Sequence, residues 1–458
     1  MKTDNDTQLT VKPAKDASLS QWLDYLLSIH PTEIDMGLTR VTAVAERLSL
    51  LSLADSKVIT VAGTNGKGTT CAMLEAVFLQ AGKTVGVYSS PHLVNFNERV
   101  RLNHIDVTDA QIIEAFSVIE HARAEISLSF FEFATLTGLY IFKLAKPEII
   151  LLEVGLGGRL DATNIIDADV SVITSIDIDH QEYLGDTREL VGREKAGVFR
   201  TECLAVIGEP DCPNSITEYA QAVNAYAYSV NKDFSYVIAN DTSTDNTSTD
   251  NTSTDNTSTD NTSTDNMSAD NRSTWHYSSA NRSIEAIPLP RLPLANAATA
   301  IAVIEQAFPQ LSDNDIKQGI ANASLSGRFE QVLEQPKVWV DVAHNPHAAK
   351  YLATQLQGFK PARIIALCGM LKDKDAAAVL KELEDSIDEW NFVSLPVERG
   401  NDAKTLAKEL NTSLSASQFD SMDLAWRSIK SNINADDVVI VFGSFYTVAA
   451  FSELLKKG

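Results

Sequence analysis

The segment Val58-Ile59-Thr60-Val61-Ala62-Gly63-Thr64-Asn65-Gly66-Lys67-Gly68-Thr69 decides the fold of this chain. A β-branched, apolar run ends in a loop with three glycines, a lysine and a closing threonine, and a helical pattern follows over 70–81. This order predicts a strand, a phosphate-binding loop and a helix, because glycines let backbone N–H groups converge on an anion. Lys67 would reach the outer phosphates of a nucleotide, and the Thr69 hydroxyl would reach Mg²⁺.

The spacing of this loop differs from the common phosphate loop, which has four residues between its first glycine and the Gly-Lys pair. Here only two residues separate Gly63 from Gly66, and Gly68 stands between Lys67 and Thr69, so the match is to a shortened variant. A plain Gly-rich turn is the alternative. The apolar strand before the loop and the helix after it favour phosphate binding.

Composition narrows the class of protein. The chain has 458 residues, a length that suits two globular domains. Its formal net charge of −23 argues against a general nucleic-acid surface, since that would need a basic stripe. Its four cysteines lack the spacing of a zinc site or a disulfide framework, so we expect reduced thiols in a cytoplasmic protein. Neither a secretory signal nor a membrane-spanning run is predicted.

Three further strands predicted in the first half end in polar side chains, Ser90, Glu153 and His180. The carboxyl ends of parallel strands are where open α/β sheets bind ligands. A buried carboxylate such as Glu153 is costly unless it is paired or holds a metal, and beside a phosphate loop we favour the metal over a structural ion pair. The structural alternatives for the other two are a Ser-Ser-Pro turn and a hydrogen-bonded histidine.

A five-residue unit, Thr-Ser-Thr-Asp-Asn, repeats without change from Thr242 to Asn266 and once more in degenerate form. The exact repeats contain no apolar residue to bury and cannot offset the entropy of ordering, so we predict a disordered, passive insertion at about 240–274. A calcium-binding or adhesive repeat is the alternative, which the lack of glycine and of hydrophobic residues disfavours.

Strands and helices alternate on both sides of a proline-rich segment, Pro288-Leu289-Pro290-Arg291-Leu292-Pro293. This alternation predicts α/β units with mostly parallel sheets and right-handed crossovers. Because proline-rich segments are stiff spacers, the domain boundary is predicted there. The chain thus divides into an N-terminal domain over 1–287, a linker over 288–296 and a C-terminal domain over 297–458.

Taken together, the motifs resemble those of the folylpolyglutamate synthases within the Mur-type ligases, and most of all the bacterial bifunctional dihydrofolate synthase/folylpolyglutamate synthases. The resemblance runs from Ile34 to Ser444. Each motif alone is weak, but so many in the same order are specific. The motifs that carry it are Gly63–Thr69, Ser90–Leu93, Phe131–Phe133, Glu153–Asn164, Asp179-His180, Gly192–Phe199, Gly327–Phe329 and Asp341–Pro346.

The resemblance implies an N-terminal P-loop ATPase domain, a smaller C-terminal Rossmann-like α/β domain, and an active site in the cleft between them. It also implies that Lys195 carries CO₂ as a carbamate, an anion that can neutralise or bridge cations. The residues implied for ATP are Asn65, Gly66, Lys67, Gly68, Thr69, Asn296, Arg328 and Asp341. Those implied for two Mg²⁺ ions are Ser90, Glu153 and His180. Those implied for the pterin are Ser129, Phe130, Phe131, Glu132, Leu160, Asp161 and Ala162.

The activity that the resemblance implies is the ATP-dependent joining of L-glutamate to dihydropteroate and to reduced folates by a monomer. A substrate carboxylate attacks the γ-phosphate of ATP, and the amine of L-glutamate then displaces phosphate from the acyl phosphate. The first step needs charge neutralisation, which Lys67 and Mg²⁺ would supply. Our hypothesis is that His344 helps the amine to lose its proton. The equal alternative is a histidine that only caps the turn at Asn345-Pro346.

Three competing functions stay open at this point. The chain could be a folylpolyglutamate synthase alone, because such enzymes share most of the motifs. It could be another Mur-type ligase acting on a cell-wall precursor, which the Phe131-Glu132-Phe133 segment and the lack of an added uridine-nucleotide domain disfavour. It could also be a nucleotide-dependent switch that uses the same phosphate loop.

Overall fold

A computed structural model of the chain describes residues 12–14, 16–30, 32, 35–239, 274–359, 363–410 and 416–457. The described residues form two α/β units, each built on its own sheet, and a small three-stranded sheet. The Thr-Ser-Thr-Asp-Asn repeat lies outside the described residues, so its disorder stays a prediction. Within those ranges, no helix is both long and apolar enough to cross a membrane.

The first unit places helices on both faces of its sheet. Its elements in chain order are α1 (Leu19–Ser28), α2 (Thr39–Arg47), β1 (Lys57–Ala62), α3 (Lys67–Gln80), β2 (Val85–Tyr88), β3 (Val100–Leu102), β4 (Ile105–Asp106), α4 (Asp109–Arg123), α5 (Phe130–Ala145), β5 (Ile149–Glu153), β6 (Val170–Ile173), α6 (Gln181–Leu184), α7 (Arg188–Ala196), β7 (Leu204–Ile207), α8 (Asn214–Ala222), β8 (Tyr226–Ser229), β9 (Phe234–Ile238), β10 (Thr274–Ser279), β11 (Ser283–Pro288), α9 (Leu294–Ala307) and α10 (Asp313–Asn322).

The first sheet has the order β4-β3-β2-β5-β1-β6-β7-β8, and it is parallel from β2 to β8. Strands β1 and β5 are mostly apolar and, apart from Lys57, buried, as expected for parallel strands that helices cover on both faces. Strands β2 and β5 lie on one side of β1, and β6 and β7 lie on the other. The strand order therefore reverses beside β1, which is where open sheets bind ligands.

The second unit repeats this architecture on a smaller scale. Its elements are β12 (Glu330–Leu333), β13 (Lys337–Asp341), α11 (Pro346–Leu356), β14 (Ile364–Cys368), α12 (Ala376–Leu383), β15 (Glu389–Val393), α13 (Ala403–Glu409), β16 (Ala416–Phe419), α14 (Met422–Asn432), β17 (Val438–Phe442) and α15 (Phe445–Lys457). The sheet order is β12-β13-β17-β14-β15-β16, with β12 as an antiparallel edge and the remaining pairs parallel. The predicted α/β fold class is confirmed.

The predicted linker over 288–296 does not separate the two units. Helix α9 begins inside it, and both α9 and α10 pack against α3, so their apolar faces belong to the core of the first sheet. The chain enters the second sheet at β12. The crossing therefore falls between α10 and β12, and it was wrong to place the boundary at the prolines. The physical reason is that α9 is apolar on nearly all sides and needs cover from both the sheet and α3.

Deleting Thr242–Asn266 is expected to leave the melting temperature and the turnover number nearly unchanged. The Ala239 backbone N–H donates to the Thr274 carbonyl at 2.8 Å, so the residues that flank the segment are already neighbours at the open end of the β9–β10 hairpin. A shorter connection can therefore span them without strain. Calorimetry and steady-state kinetics on the deletion variant check this, and a large loss of turnover would show that the insertion is not passive.

Candidate active site

A cavity of about 1460 Å³ lies where the carboxyl ends of the two sheets face each other. The loops that follow β1, β5 and β6 line it on one side, and those that follow β13, β14 and β17 line it on the other. Every residue predicted for ATP, metal or pterin lines this cavity, and so does His344. Lys195 is the predicted site residue that lies behind its wall.

The phosphate loop turns sharply into helix α3 at Gly66. Gly66 has φ +87°, and a Cβ there would come within 2.6 Å of Asn296 Oδ1, so the position needs glycine for its backbone and for its neighbour. Lys67 Nζ donates to the carbonyls of Gly63 at 3.0 Å and Thr64 at 3.3 Å. Burial lowers the pKa of Lys67, which the negative charge of Glu153 partly offsets. The lysine thus holds the loop in shape from inside.

The other side chains of the loop are also held. Thr69 Oγ1 donates to the Gly66 carbonyl at 3.0 Å and accepts from Asn296 Nδ2 at 2.6 Å. The end of β6 supports the loop from behind, where the Thr64 backbone N–H donates to the Ser175 carbonyl at 2.7 Å. The backbone N–H groups that begin α3 are consequently fixed toward the cavity, as anion binding requires.

The residues predicted for metal binding combine one buried carboxylate with two weaker donors. Glu153 ends β5 and is 7% exposed, and both of its oxygens lie 3.4 Å from where a Cβ of residue 68 would be. Burial raises the pKa of Glu153, while the cations of Lys67 and Arg328 and the Ser90 backbone N–H lower it. Its environment therefore penalises the anion and would be relieved by a further cation.

His180 and the small ligand count also fit a magnesium site. Burial lowers the pKa of His180, so its imidazole is neutral and can act as a ligand. Among the residues that the structure describes, no group of three or more His, Cys, Asp or Glu side chains is placed to hold a metal by itself. Mg²⁺ favours oxygen ligands and usually keeps several waters and nucleotide oxygens, so a site with few protein ligands suits it. Glu153 and Ser90 offer oxygen atoms, and His180 offers one nitrogen.

Lys195 on α7 is 4% exposed and reaches the phosphate loop from below. Its Nζ donates to the Gly63 carbonyl at 2.9 Å, so Lys195 and Lys67 share one acceptor. Burial and the neighbouring charge of Lys67 lower the pKa of Lys195 to about 7. The amine is consequently neutral in a large fraction of molecules at neutral pH, which is the form that can act as a nucleophile.

Two residues that the resemblance implies for ATP, Arg328 and Asp341, line the cavity from the side of the second unit. The Arg328 guanidinium stacks 5.0 Å from the centroid of the Phe445 ring. Asp341 accepts from the backbone N–H groups of Phe329 at 2.8 Å and Ala343 at 2.7 Å. Burial raises the pKa of Asp341, and the Arg328 charge opposes that shift. The segment before β12 and the end of β13 thus present a cation and a carboxylate to the cavity.

The residues predicted for the pterin fall into two groups, polar residues that hydrogen-bond within the protein and apolar residues that line the cavity. Ser129 and Glu132 form a capping box that begins α5, and Asp161 accepts from the backbone N–H groups of Gly155 at 3.0 Å and Leu156 at 2.9 Å. These polar atoms are engaged within the protein. The remaining side chains give an apolar lining, and they are Phe130, Phe131, Leu160 and Ala162.

The structure adds two residues, Lys374 and Asn345, to which the sequence analysis assigned no contact with ATP, metal or pterin. Lys374, in the loop after β14, places Nζ 3.4 Å from Asp179 Oδ1 across the cleft. Asn345 bonds to the phosphate loop from the other unit. For Asn345 the signal was its place in a polar segment that follows a predicted strand, whereas no local signal marks Lys374. The sequence analysis left open that His344 only caps the turn at Asn345-Pro346. In the structure, the side chain that caps the following helix, α11, is that of Asn345.

Two family models match the chain. The Mur ligase middle domain covers residues 61–304, and the Mur ligase glutamate ligase domain covers residues 327–445. Both matched ranges agree with the packing of the two units. The chain therefore belongs to the Mur ligase family and is an ATP-dependent ligase.

Relatives place the chain within that family. It is 43% identical to the dihydrofolate synthase/folylpolyglutamate synthase of Escherichia coli (strain K12), over 97% of each chain, and 40% identical to that of Haemophilus influenzae, over 94% of this chain and 96% of the relative. The solved structure of E. coli FolC in complex with DHPP and ADP matches with a TM-score of 0.85 and 42% identity, over 97% of this chain and 99% of that one. Among the Mur ligases, the chain is a bacterial dihydrofolate synthase/folylpolyglutamate synthase family member.

Proposed function

We propose that this chain joins L-glutamate to dihydropteroate, forming dihydrofolate, and to reduced folates, forming folylpolyglutamates, with ATP as the co-substrate. The observation that carries the proposal is one cavity that contains a phosphate loop, the buried Glu153 carboxylate and the apolar wall around Phe131. Solved relatives support the substrates. E. coli FolC was solved with DHPP and ADP, and another bifunctional synthase was solved with Mn, AMPPNP and L-glutamate.

The proposed first step transfers the γ-phosphoryl group of ATP to the carboxylate of the acceptor. Lys67 would leave its loop carbonyls and donate to the transferring phosphate, while Arg328 approaches from the second unit. When bound near Ser90, Glu153 and His180, Mg²⁺ would neutralise phosphate charge. Little covalent help from the protein is needed, because the main requirements of phosphoryl transfer are positioning and charge.

The proposed second step needs a dry cavity, because an acyl phosphate reacts readily with water. Contacts across the cleft support such closure. Lys374 meets Asp179 at 3.4 Å, and Leu93 of the first unit lies against the loop at Gly327. A cavity closed by both units would exclude water until the amine of L-glutamate attacks.

Both folate reactions are proposed, because relatives named for both activities match this chain at high identity over nearly its whole length. The E. coli and H. influenzae proteins named for both activities are 43% and 40% identical, whereas the folylpolyglutamate synthase of Lacticaseibacillus casei is 26% identical. The site lies within one chain, so we also propose a monomer. All four cysteines are free thiols, which agrees with a cytoplasmic protein.

Phosphate release tests the proposal. The purified protein is incubated with Mg²⁺, ATP and L-glutamate, and dihydropteroate is compared with tetrahydrofolate as the acceptor. Activity with both acceptors is expected. Activity with tetrahydrofolate alone would restrict the function to polyglutamate synthesis, and activity with neither would refute the proposed substrates.

His344 is proposed to orient the attacking amine by accepting a hydrogen bond from it, rather than to act as the general base that takes its proton. Its Nδ1 lies 2.9 Å from the Val342 carbonyl, so Nδ1 carries the hydrogen and Nε2 keeps a lone pair. Burial lowers the pKa of His344 to about 4, which leaves the ring neutral from pH 6 upward. Such a ring can accept a hydrogen bond from the amine but is a weak base for it.

Replacing His344 with alanine is therefore expected to lower turnover by roughly 10- to 100-fold, because one hydrogen bond to the reacting amine is lost. Since the imidazole stays neutral, the same loss is expected at every pH from 6 to 9. Turnover numbers measured across this range check both statements. Unchanged turnover would reduce His344 to a structural residue, and a loss confined to one side of pH 7 would contradict the neutral ring.

A further inference from the structure

The side chain of Asn345 bonds to both units at once. Its Oδ1 accepts from the Ala348 backbone N–H at 3.0 Å and so caps helix α11 of the second unit. Its Nδ2 donates to Asn65 Oδ1 at 2.9 Å. Asn65 belongs to the phosphate loop of the first unit, so this hydrogen bond crosses the cleft.

The helix cap decides which way both amides face. Because Asn345 Oδ1 is bound to the Ala348 N–H, its NH₂ group must be the one that points at Asn65. An NH₂ group needs an oxygen opposite it, so Asn65 turns Oδ1 toward Asn345. The Nδ2 of Asn65 consequently faces away from Asn345.

The remaining polar groups of Asn65 are bound by the end of β6. Its backbone N–H donates to Ser175 Oγ at 3.1 Å, and its carbonyl accepts from Thr174 Oγ1 at 2.6 Å. Within the described residues, Asn65 Nδ2 is buried and has no hydrogen-bond partner. Asn65 lines the cavity, so a donor is held ready there for a ligand that supplies an acceptor.

We propose that Asn345 is a positioning residue that aims Asn65 Nδ2 at a phosphate oxygen of ATP when the second unit is docked. This inference rests on the proposed function. When the units separate, the Asn65 amide loses its fixed partner and is free to rotate. The full set of hydrogen bonds to the nucleotide therefore forms only in the closed cavity, where water is excluded from the acyl phosphate. Docking of the second unit and phosphate binding are thereby coupled through one amide pair.

Two substitutions separate this role from the helix cap. Asn345→Ser keeps a good N-cap but cannot reach Asn65. Asn345→Asp also keeps the cap, but it presents oxygen to Asn65 and should turn Asn65 Nδ2 away from the cavity. Both variants are expected to keep the wild-type melting temperature and to lower kcat/KM for ATP by roughly 10- to 100-fold, the value of a hydrogen bond to a charged group. Ser421→Ala, which removes the cap of α14 outside the cavity, is the control that should keep kcat/KM.

A double-mutant cycle with Asn65→Ala gives the decisive readout. If Asn345 acts through Asn65, Asn345→Ser should cost less than about 2-fold in the Asn65→Ala background. Equal losses in both backgrounds, or wild-type kcat/KM in Asn345→Ser, would overturn the inference. The same cycle measured as affinity for Mg-AMPPNP needs no acceptor. Failure of the proposed substrates would therefore appear as an inactive wild type, while the binding cycle still decides the role of Asn345.

Discussion

Replacing Lys195 with alanine is expected to lower ligase turnover on the order of 10³-fold or more, because we propose that this side chain works as a carbamate. The lysine is 4% exposed, and its Nζ lies 2.9 Å from the Gly63 carbonyl at the base of the phosphate loop. A carbamate places a carboxylate at this position. That anion can balance Lys67 and the cations that come with ATP, which a neutral methyl group cannot do.

The chemistry of the modification fits the environment of Lys195. A neutral amine adds to CO₂ and releases one proton, giving a carbamate that still carries an N–H for the Gly63 carbonyl. Burial and Lys67 lower the pKa of Lys195 to about 7. The neutral fraction therefore rises as the pH increases through 7 and falls below it, whereas an exposed lysine would stay protonated until about pH 10.

Removal of CO₂ tests this reasoning directly. Wild-type turnover should fall in CO₂-free buffer, more at pH 6 than at pH 8, and should return when bicarbonate is added. Labelling with ¹³C-bicarbonate should give a carbamate carbon signal in the wild type that is absent from Lys195→Ala. Small carboxylic acids such as formate should restore part of the activity of Lys195→Ala, because they can occupy the space of the missing carboxylate.

Lys143 supplies a matched control. Its Nζ also donates to a backbone carbonyl, that of Leu48 at 2.8 Å, but it lies outside the cavity. Lys143→Ala should keep both activity and the response to bicarbonate. A wild type that is indifferent to CO₂ and shows no carbamate signal would contradict the carbamate, even if Lys195→Ala were inactive.

The fold was predictable wherever neighbouring residues carry the signal. The apolar runs of β1 and β5 are long enough to indicate buried parallel strands, and both were predicted to within about two residues. The start of α3 was predicted three residues late, because the left-handed turn at Gly66 lets the helix begin at Lys67. The boundary error had another cause, since prolines that precede a helix resemble a linker. The opposing signal was that α9 is apolar on nearly all sides, which requires cover from the first sheet and α3.

The candidate site was predictable as a set of strand ends but not as a set of contacts. Glu153 ends β5 and His180 follows β6, the two parallel strands that flank β1, so the topology alone brings both residues toward the phosphate loop. The pairing of Asn345 with Asn65, and of Lys374 with Asp179, depends on how two separate sheets face each other. No local pattern encodes that arrangement. Likewise, a depressed lysine pKa follows from three-dimensional burial, which the helical pattern around Lys195 does not reveal.

Replacing Glu153 with glutamine is expected to lower turnover on the order of 10³-fold or more and to remove the tight divalent metal site. The amide has nearly the same shape as the carboxylate, so the end of β5 should stay packed. The substitution removes the negative charge, however, at a position where burial disfavours the anion and nearby cations offset that cost. Stability without ligand should therefore hold or rise, while the added stability from Mg²⁺ and nucleotide should fall.

This opposite response separates a metal ligand from a structural ion pair, the two roles that the sequence left open for Glu153. Mn²⁺ binding can be followed by electron paramagnetic resonance with AMPPNP present, and melting temperatures can be measured with and without both ligands. Glu305→Gln is the matched control, because Glu305 is a buried glutamate outside the cavity that accepts from Tyr277 at 2.5 Å and Ser279 at 2.6 Å. It should keep Mn²⁺ affinity. If Glu153→Gln instead melts earlier without ligand yet keeps Mn²⁺ affinity, then Glu153 serves to balance the charges of Lys67 and Arg328, and the metal must be held elsewhere.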